Sequence, residues 1–318
     1  MAADVQRIDA ELVASVRTSD TYLGEIASHL IVAGGKRLRP MLSVVAARVG
    51  GSDASDDVVR GGIACELVQT GSLYHDDVMD EAPTRRGVET VNAKWGNLQA
   101  ILAGDFLLSR ASEIAASLGT ETAALLARTI GRLCEGQIEE LRHTYNPARP
   151  EQSYLASIAG KTASLYSTSA RIGAIVAGLD RPLIDALTEY GHAFGMVFQI
   201  VDDVLDITST DDQLGKPVGH DMVEGVYTLP VLRTLQAGGV AAMELLGLLG
   251  RPLDTAEREK ALGIVRDNGG VASAYATAQD WANRAIGECD ALPQSAATDA
   301  LRAAPAGLVA SVVPLWRG

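Results

Sequence analysis

Cysteine is scarce in this sequence. Cys65, Cys134 and Cys289 lie far apart, are odd in number, and form no CxxC pair. That excludes the disulfide framework of a small secreted domain and a cysteine zinc site, and it fits reduced thiols in a cytoplasmic protein. Aromatic residues make up only 4% of the chain, and β-branched runs with period-two alternation are rare. With little strand signal and abundant Ala and Leu, the composition favours helices. Net positive charge is absent too: the formal charge is −13, which repels phosphate backbones and argues against a nucleic-acid partner. No apolar run reaches membrane-spanning length; the best, Ile172 to Leu179, is far too short. Asp4, Arg7, Asp9 and Glu11 stand where a signal peptide needs an apolar core. No HExxH, GxSxG, Walker A or GxGxxG pattern points to zinc, serine-hydrolase or nucleotide chemistry.

What is present is helical periodicity along almost the whole chain. Residues 1–33 read as one or two amphipathic helices stopped by Gly34-Gly35. Helices are expected over roughly 41–49, 55–81, 93–117, 120–144, 151–178 and 182–208. Pro83 ends the second of these, since proline lacks the amide donor. Residues 83–90 read as a polar loop. Residues 209–220 form a second, longer one and a candidate lid. Shorter Ala-rich helices fill 221–318, with no disordered linker and no fixed repeat.

Two acidic pentads recur in separate helices, Asp76-Asp77-Val78-Met79-Asp80 and Asp202-Asp203-Val204-Leu205-Asp206. Residues four apart share a helix face, so Asp76 projects with Asp80 and Asp202 with Asp206. Asp77 and Asp203 sit about 100° further round. Apolar residues precede both pentads, and clustered carboxylates there repel one another and are costly to desolvate. A divalent cation would neutralise them, and magnesium commonly bridges one or two carboxylates to substrate phosphates. With 23 Asp in 318 residues, one such pentad arises by chance about 0.1 times and two about 0.01 times. The alternative is a solvated acidic helix face.

Cations flank the pentads in this acidic chain. Lys36, Arg37 and Arg39 follow two glycines, Arg85-Arg86 follow the first pentad, Lys161 adjoins Thr162, and Lys216 follows the second pentad. Guanidinium forks and ammonium groups are the usual phosphate binders. The set suits two diphosphates, one held through metal ions and one held directly. His75 adjoins the first pentad, where it either orients a carboxylate or serves as a hydrogen-bonded core histidine.

The motifs resemble those of the trans-isoprenyl diphosphate synthases, the polyprenyl synthetases. The resemblance runs through Gly34–Pro40, Leu73–Asp80 with Arg85-Arg86, Gly104-Asp105-Phe106, Lys161-Thr162, Phe198–Asp206, Leu214–Asp221 and Thr228-Leu229-Pro230. It implies an all-α bundle of long antiparallel helices around a central apolar cavity, as one domain over 1–318, usually a homodimer. It implies that Asp76, Asp80 and Asp202 hold magnesium, three ions per site, with Asp77, Asp203 and Asp206 close by. Arg85, Lys161, Thr162, Gln199 and Lys216 would contact an allylic diphosphate. Lys36, Arg39 and Arg86 would bind isopentenyl diphosphate. Two positions depart from the family: Gln69 stands where a histidine is usual, at the isopentenyl site, and Val226 stands where a lysine often follows Gly225.

The implied reaction is ionisation of the allylic diphosphate, attack by isopentenyl diphosphate, and proton loss. Short-chain members tend to carry an aromatic residue five positions before the first aspartate. Here Gly71 and Ser72 offer no such stopper, which implies a product longer than geranylgeranyl diphosphate and leaves room for transient membrane contact at release. Gly71 could instead serve close helix packing. A terpene cyclase of the same fold, or a non-catalytic subunit of a two-component synthase, remains as a rival. The second DDxxD and the basic turn at 34–40 count against the first, and two intact pentads count against the second.

Overall fold

A computed structural model describes residues 2–210 and 218–312. Among them the protein is helical apart from one tiny hairpin. In order come α1 (Ala2–Ser15), α2 (Thr21–Val32), α3 (Leu38–Arg48), α4 (Asp56–Met79), β1 (Thr84–Arg85), β2 (Val88–Glu89), α5 (Val91–Trp95), α6 (Asn97–Ser117), α7 (Thr120–Leu141) and α8 (Glu151–Ile158). A π-helical turn, Ala159–Ala163, leads into α9 (Ser164–Val176) and the long α10 (Arg181–Thr208). The rest comprises α11 (His220–Val223), α12 (Leu229–Ala237), α13 (Gly239–Leu248), α14 (Thr255–Asp267), α15 (Gly270–Glu288), a short 3₁₀ turn, and α16 (Ala296–Ala310). None of the described helices is long and apolar enough to cross a membrane.

The chain groups into two compact units, each assembled from non-contiguous segments. The first comprises residues 1–130, 165–191 and 291–298. Its axis is α4, started by the Ser55 side chain, which accepts from Val58 N, and by Asp56 and Asp57 in the first turn. Ile63, Ala64, Cys65, Leu67 and Val68 are all fully buried. The helix therefore packs on several faces and carries no polar stripe. Small residues let its neighbours approach: a Cβ on Gly62 would stand 2.6 Å from Pro40 Cα of α3.

The second unit comprises residues 131–164, 192–290 and 299–318. Its core gathers Tyr154, Ile158, Met196, Val197, Ile200, Val201 and Val204 with Tyr227, Leu229, Leu245, Leu262, Val271 and Ala274.

Three sequence expectations shift. Helix α3 begins at Leu38, upstream of Pro40, because proline is tolerated in the first turn, where its missing amide has no partner to lose. The single helix expected over 93–117 is two, broken at Gly96 with φ 97°. The polar loop 83–90 contains an antiparallel hairpin, Thr84 opposite Glu89 and Arg85 opposite Val88. Residues 211–217 of the candidate lid, including Lys216, lie outside the described residues.

Candidate active site

In the first unit the pentad closes α4. Asp76 is half-buried, Asp77 fully buried, and Asp80 caps the helix in the open, its amide donating to Asp76 O at 2.8 Å. The hairpin carries Arg85 back onto the motif, and its Nε donates to Asp77 Oδ1 at 2.5 Å. Asp77 Oδ2 is buried without a hydrogen-bond partner. Burial pushes this carboxyl above its ordinary pKa, against the pull of Arg85. Asn92 Nδ2 donates to the Asp77 backbone carbonyl at 3.0 Å.

Arg86, in left-handed backbone at φ 54°, turns the other way. Its Nη1 donates to Leu30 O at 2.7 Å and Gly34 O at 2.5 Å. Arg37 Nη2 donates to Ile31 O at 2.7 Å, while its Nε reaches Asp9 at 2.8 Å and its Nη1 Glu66 at 3.3 Å. Two guanidinium groups thus satisfy carbonyls that the end of α2 leaves without intrahelical partners. Gly35 sits between them: a Cβ there would lie 2.9 Å from Arg37 Nη1 and 3.3 Å from Arg86 Cζ. Buried Tyr74, two residues before the pentad, hydrogen-bonds through its hydroxyl to Ile26 O at 2.9 Å. The basic turn is therefore tied to the helix that ends in the aspartates. On that turn Lys36 is exposed, and half-buried Arg39 lies over the Tyr166 ring at 4.5 Å.

His75 is half-buried, so it is not the core histidine expected as one of its two roles. Its Nε2 lies 3.1 Å from Ile101 O and 3.5 Å from Asp105 Oδ1, both on α6. A Cβ on Gly104 would overlap the imidazole. The Gly104-Asp105 pair is thus a seat for His75.

In the second unit Asp202 is exposed while Asp203 and Asp206 are buried. Asp203 is held on both oxygens: Tyr154 OH donates to Oδ2 at 2.6 Å and Gln199 Nε2 to Oδ1 at 2.9 Å. Burial pushes its pKa up to about 7, opposed by these two hydrogen bonds. Gln199 Oε1 accepts from Thr162 Oγ1 at 2.8 Å. Thr162 and Lys161 ride on the π turn, whose extra residue resets their direction. The turn crosses α7 closely, since a Cβ on Gly136 would stand 2.5 Å from Lys161 N. Lys161 Nζ meets Glu140 Oε1 at 2.9 Å. Gly219 N donates to the Asp206 carbonyl at 2.7 Å, which fastens the chain after the second motif.

Asp202 and Asp206 share a helix face as expected, yet one is open and the other covered. Arg85 and Lys161, expected as diphosphate ligands, each carry a carboxylate partner in this structure, and Arg86, expected as an isopentenyl ligand, donates through Nη1 to two backbone carbonyls. Sequence reasoning missed Tyr154, Glu140, Asn92 and Tyr74, because nothing in their local pattern marks them. Each is significant only through a partner at least 15 positions away.

The donor set fits a hard divalent cation, for it consists of carboxylate oxygens without sulfur. Among the described residues, no three His, Cys, Asp or Glu side chains form a ready-made cage. Magnesium characteristically takes one or two carboxylates and completes its octahedron with water and substrate phosphate. The aspartates that solvent can reach, Asp76, Asp80 and Asp202, are those the family resemblance assigns to metal.

The polyprenyl synthetase family model matches residues 20–265. Among curated proteins, heptaprenyl diphosphate synthase component 2 of Geobacillus stearothermophilus is 39% identical over 303 residues, spanning 95% of this chain and 94% of that one. The nonaprenyl diphosphate synthase of Mycobacterium tuberculosis is 38% identical, over 95% of this chain and 90% of its own. Among solved structures, a polyprenyl synthase from Caulobacter crescentus complexed with calcium and isoprenyl diphosphate superposes with a TM-score of 0.91 at 32% identity, covering 97% of this chain and 94% of that one.

Proposed function

The chain belongs to the polyprenyl synthetase family, and we propose that it condenses isopentenyl diphosphate with an allylic prenyl diphosphate, releasing an all-trans polyprenyl diphosphate longer than geranylgeranyl. The observation that carries this reading is the division of labour within each motif. Asp77 and Asp203 are buried and anchored, while Asp76, Asp80 and Asp202 remain accessible for metal. Relatives that make heptaprenyl and nonaprenyl products support the chain length.

Bound divalent ions, in our reading three magnesium ions per site, supply positive charge that stabilises the departing diphosphate. Lys161, Arg85, Thr162, Gln199 and Lys216 bind and orient the same diphosphate. As the allylic carbon–oxygen bond breaks, its electron pair leaves with the diphosphate and an allylic cation remains. Lys36, Arg39, Arg86 and Gln69 hold isopentenyl diphosphate so that its double bond forms the new carbon–carbon bond. One proton then departs, with the released diphosphate as the base. Arg85 and Lys161 are already oriented by Asp77 and Glu140, so their charge costs little reorganisation as the leaving group ionises. An apolar surrounding keeps water from the cation. The same reading takes the protein as a cytoplasmic homodimer of single-domain chains.

The test is incubation with magnesium, labelled isopentenyl diphosphate and geranyl, farnesyl or geranylgeranyl diphosphate in turn. A ladder of prenyl alcohols after dephosphorylation, abolished by Asp76→Ala or by chelator and restored by magnesium, is the expected result. Diphosphate release from the allylic substrate alone, without incorporation, would point to a cyclase. The designation of one relative as component 2 favours a second reading, in which this chain is the catalytic half of a two-chain enzyme. Activity that appears only after a second polypeptide is added would decide for it.

A further inference from the structure

Tyr154 takes no part in the scheme above, yet it contacts the second motif directly. It lies on α8, is 1% exposed, and donates its hydroxyl to Asp203 Oδ2 at 2.6 Å. The guanidinium of buried Arg149 covers its ring at 5.7 Å from the centroid. A phenylalanine would fill the same core space without a polar atom, and burying a hydroxyl is costly unless it is paired. The hydroxyl is therefore spent on Asp203. Its consequence runs further, because the other oxygen of Asp203 accepts from Gln199 Nε2. When ionised, Asp203 can only accept, and in that form the bond fixes the amide with its oxygen turned to Thr162, whose hydroxyl donates to it. Four side chains form one connected network that converges on Asp203: Tyr154 and Gln199 donate to its two oxygens, and Thr162 donates to Gln199.

We propose that Tyr154 is a positioning residue for the allylic half of the reaction: its phenol holds Asp203 in the orientation that sets the Gln199 amide and, through it, the Thr162 hydroxyl. The inference rests on the reading that Gln199 and Thr162 face the allylic diphosphate. Without the phenol, Asp203 keeps one donor instead of two and is free to rotate. The amide then loses the contact that chose its direction. All four side chains belong to the second unit, whereas Lys36 and Arg39, read as isopentenyl ligands, belong to the first, so the loss is expected to fall on one substrate.

The test compares wild type, Tyr154→Phe and Asp203→Asn. Calorimetry with magnesium and a non-ionising allylic thiolodiphosphate reads binding directly, and initial rates read KM for each substrate. Tyr154→Phe is expected to weaken analogue binding and raise the allylic KM about tenfold, with the isopentenyl KM within about twofold of wild type. A purely structural role would raise both KM values together, and that result overturns the proposal. Asp203→Asn covers the case in which Tyr154→Phe does not fold. It must reproduce the one-sided change, and adding Tyr154→Phe to it must change nothing more. A wild-type allylic KM in Asp203→Asn, or independent effects in the double variant, sinks the idea. Wild-type protein that binds no allylic analogue overturns the functional reading and this inference with it, whereas equal binding by wild type and variants overturns this inference alone.

Discussion

Gly71 on α4 and Gly104 on α6 meet backbone to backbone: a Cβ on Gly71 would stand 3.0 Å from Gly104 O, and one on Gly104 would stand 3.1 Å from Gly71 O. The family resemblance makes Gly71 a chain-length position. Here its smallness serves the helix crossing directly. Gly71→Ala should destabilise the fold by about 1–3 kcal/mol through overpacking, with product lengths unchanged. Urea unfolding and product chromatography on one preparation check both halves.

Ser72 lies one residue further round α4, about 100° from that seam, and its hydroxyl is bonded within the helix to Gln69 O at 2.9 Å. It is half-buried, and it is the other position that the family resemblance assigns to chain length. Ser72→Phe is expected to shorten the product ladder while the melting temperature stays within a few degrees of wild type. An unchanged ladder would remove this position from chain-length control.

Arg85 and Asp77 form a pair with the carboxylate fully buried. Arg85→Ala strands that carboxylate and should cost about 2–3 kcal/mol of stability, since an unpaired buried charge is more expensive than a lost contact. Adding Asp77→Asn to Arg85→Ala should recover part of the stability but not the allylic KM. Recovery of both would make Arg85 a structural cation alone.

Thr162→Val removes the donor to Gln199 Oε1 without altering volume much. The expected effect is an allylic KM raised about tenfold and a melting temperature lowered by a few degrees at most. The readout is the ratio of the two substrates' KM values, which should move in the same direction as in Tyr154→Phe.

Asp4 and Arg48 form a fork at 2.8 and 3.0 Å, and the guanidinium holds the carboxyl down to about 2 from the ordinary 3.8. Because the folded-state pKa lies below the unfolded value, the contribution is complete above about pH 4 and is lost as pH falls through about 2. Asp4→Asn should therefore lower stability by about 1 kcal/mol at pH 7, and the gap to wild type should close between about pH 4 and 2. A gap that persists at pH 2 would show that the pair does not carry it.

Much was legible in the sequence because its signals are local. Asp76 and Asp202 announce themselves by spacing within five residues, and Gly34-Gly35 and Pro83 punctuate helices by backbone sterics that need no partner. Family membership was legible for the same reason, since its motifs are short and ordered. What the sequence could not apportion is which aspartate in each pentad faces solvent. Asp76 and Asp77 are identical in chemistry and adjacent in the chain, as are Asp202 and Asp203. Only packing buries the second of each pair and supplies Arg85, or Tyr154 and Gln199, to hold it. Likewise Gly71 reads as an open position in one dimension, and becomes a contact once Gly104 is brought against it from 33 residues away. Helical period and motif spacing are properties of neighbours along the chain. Burial and hydrogen-bond partnership depend on residues that the chain brings close only when it folds.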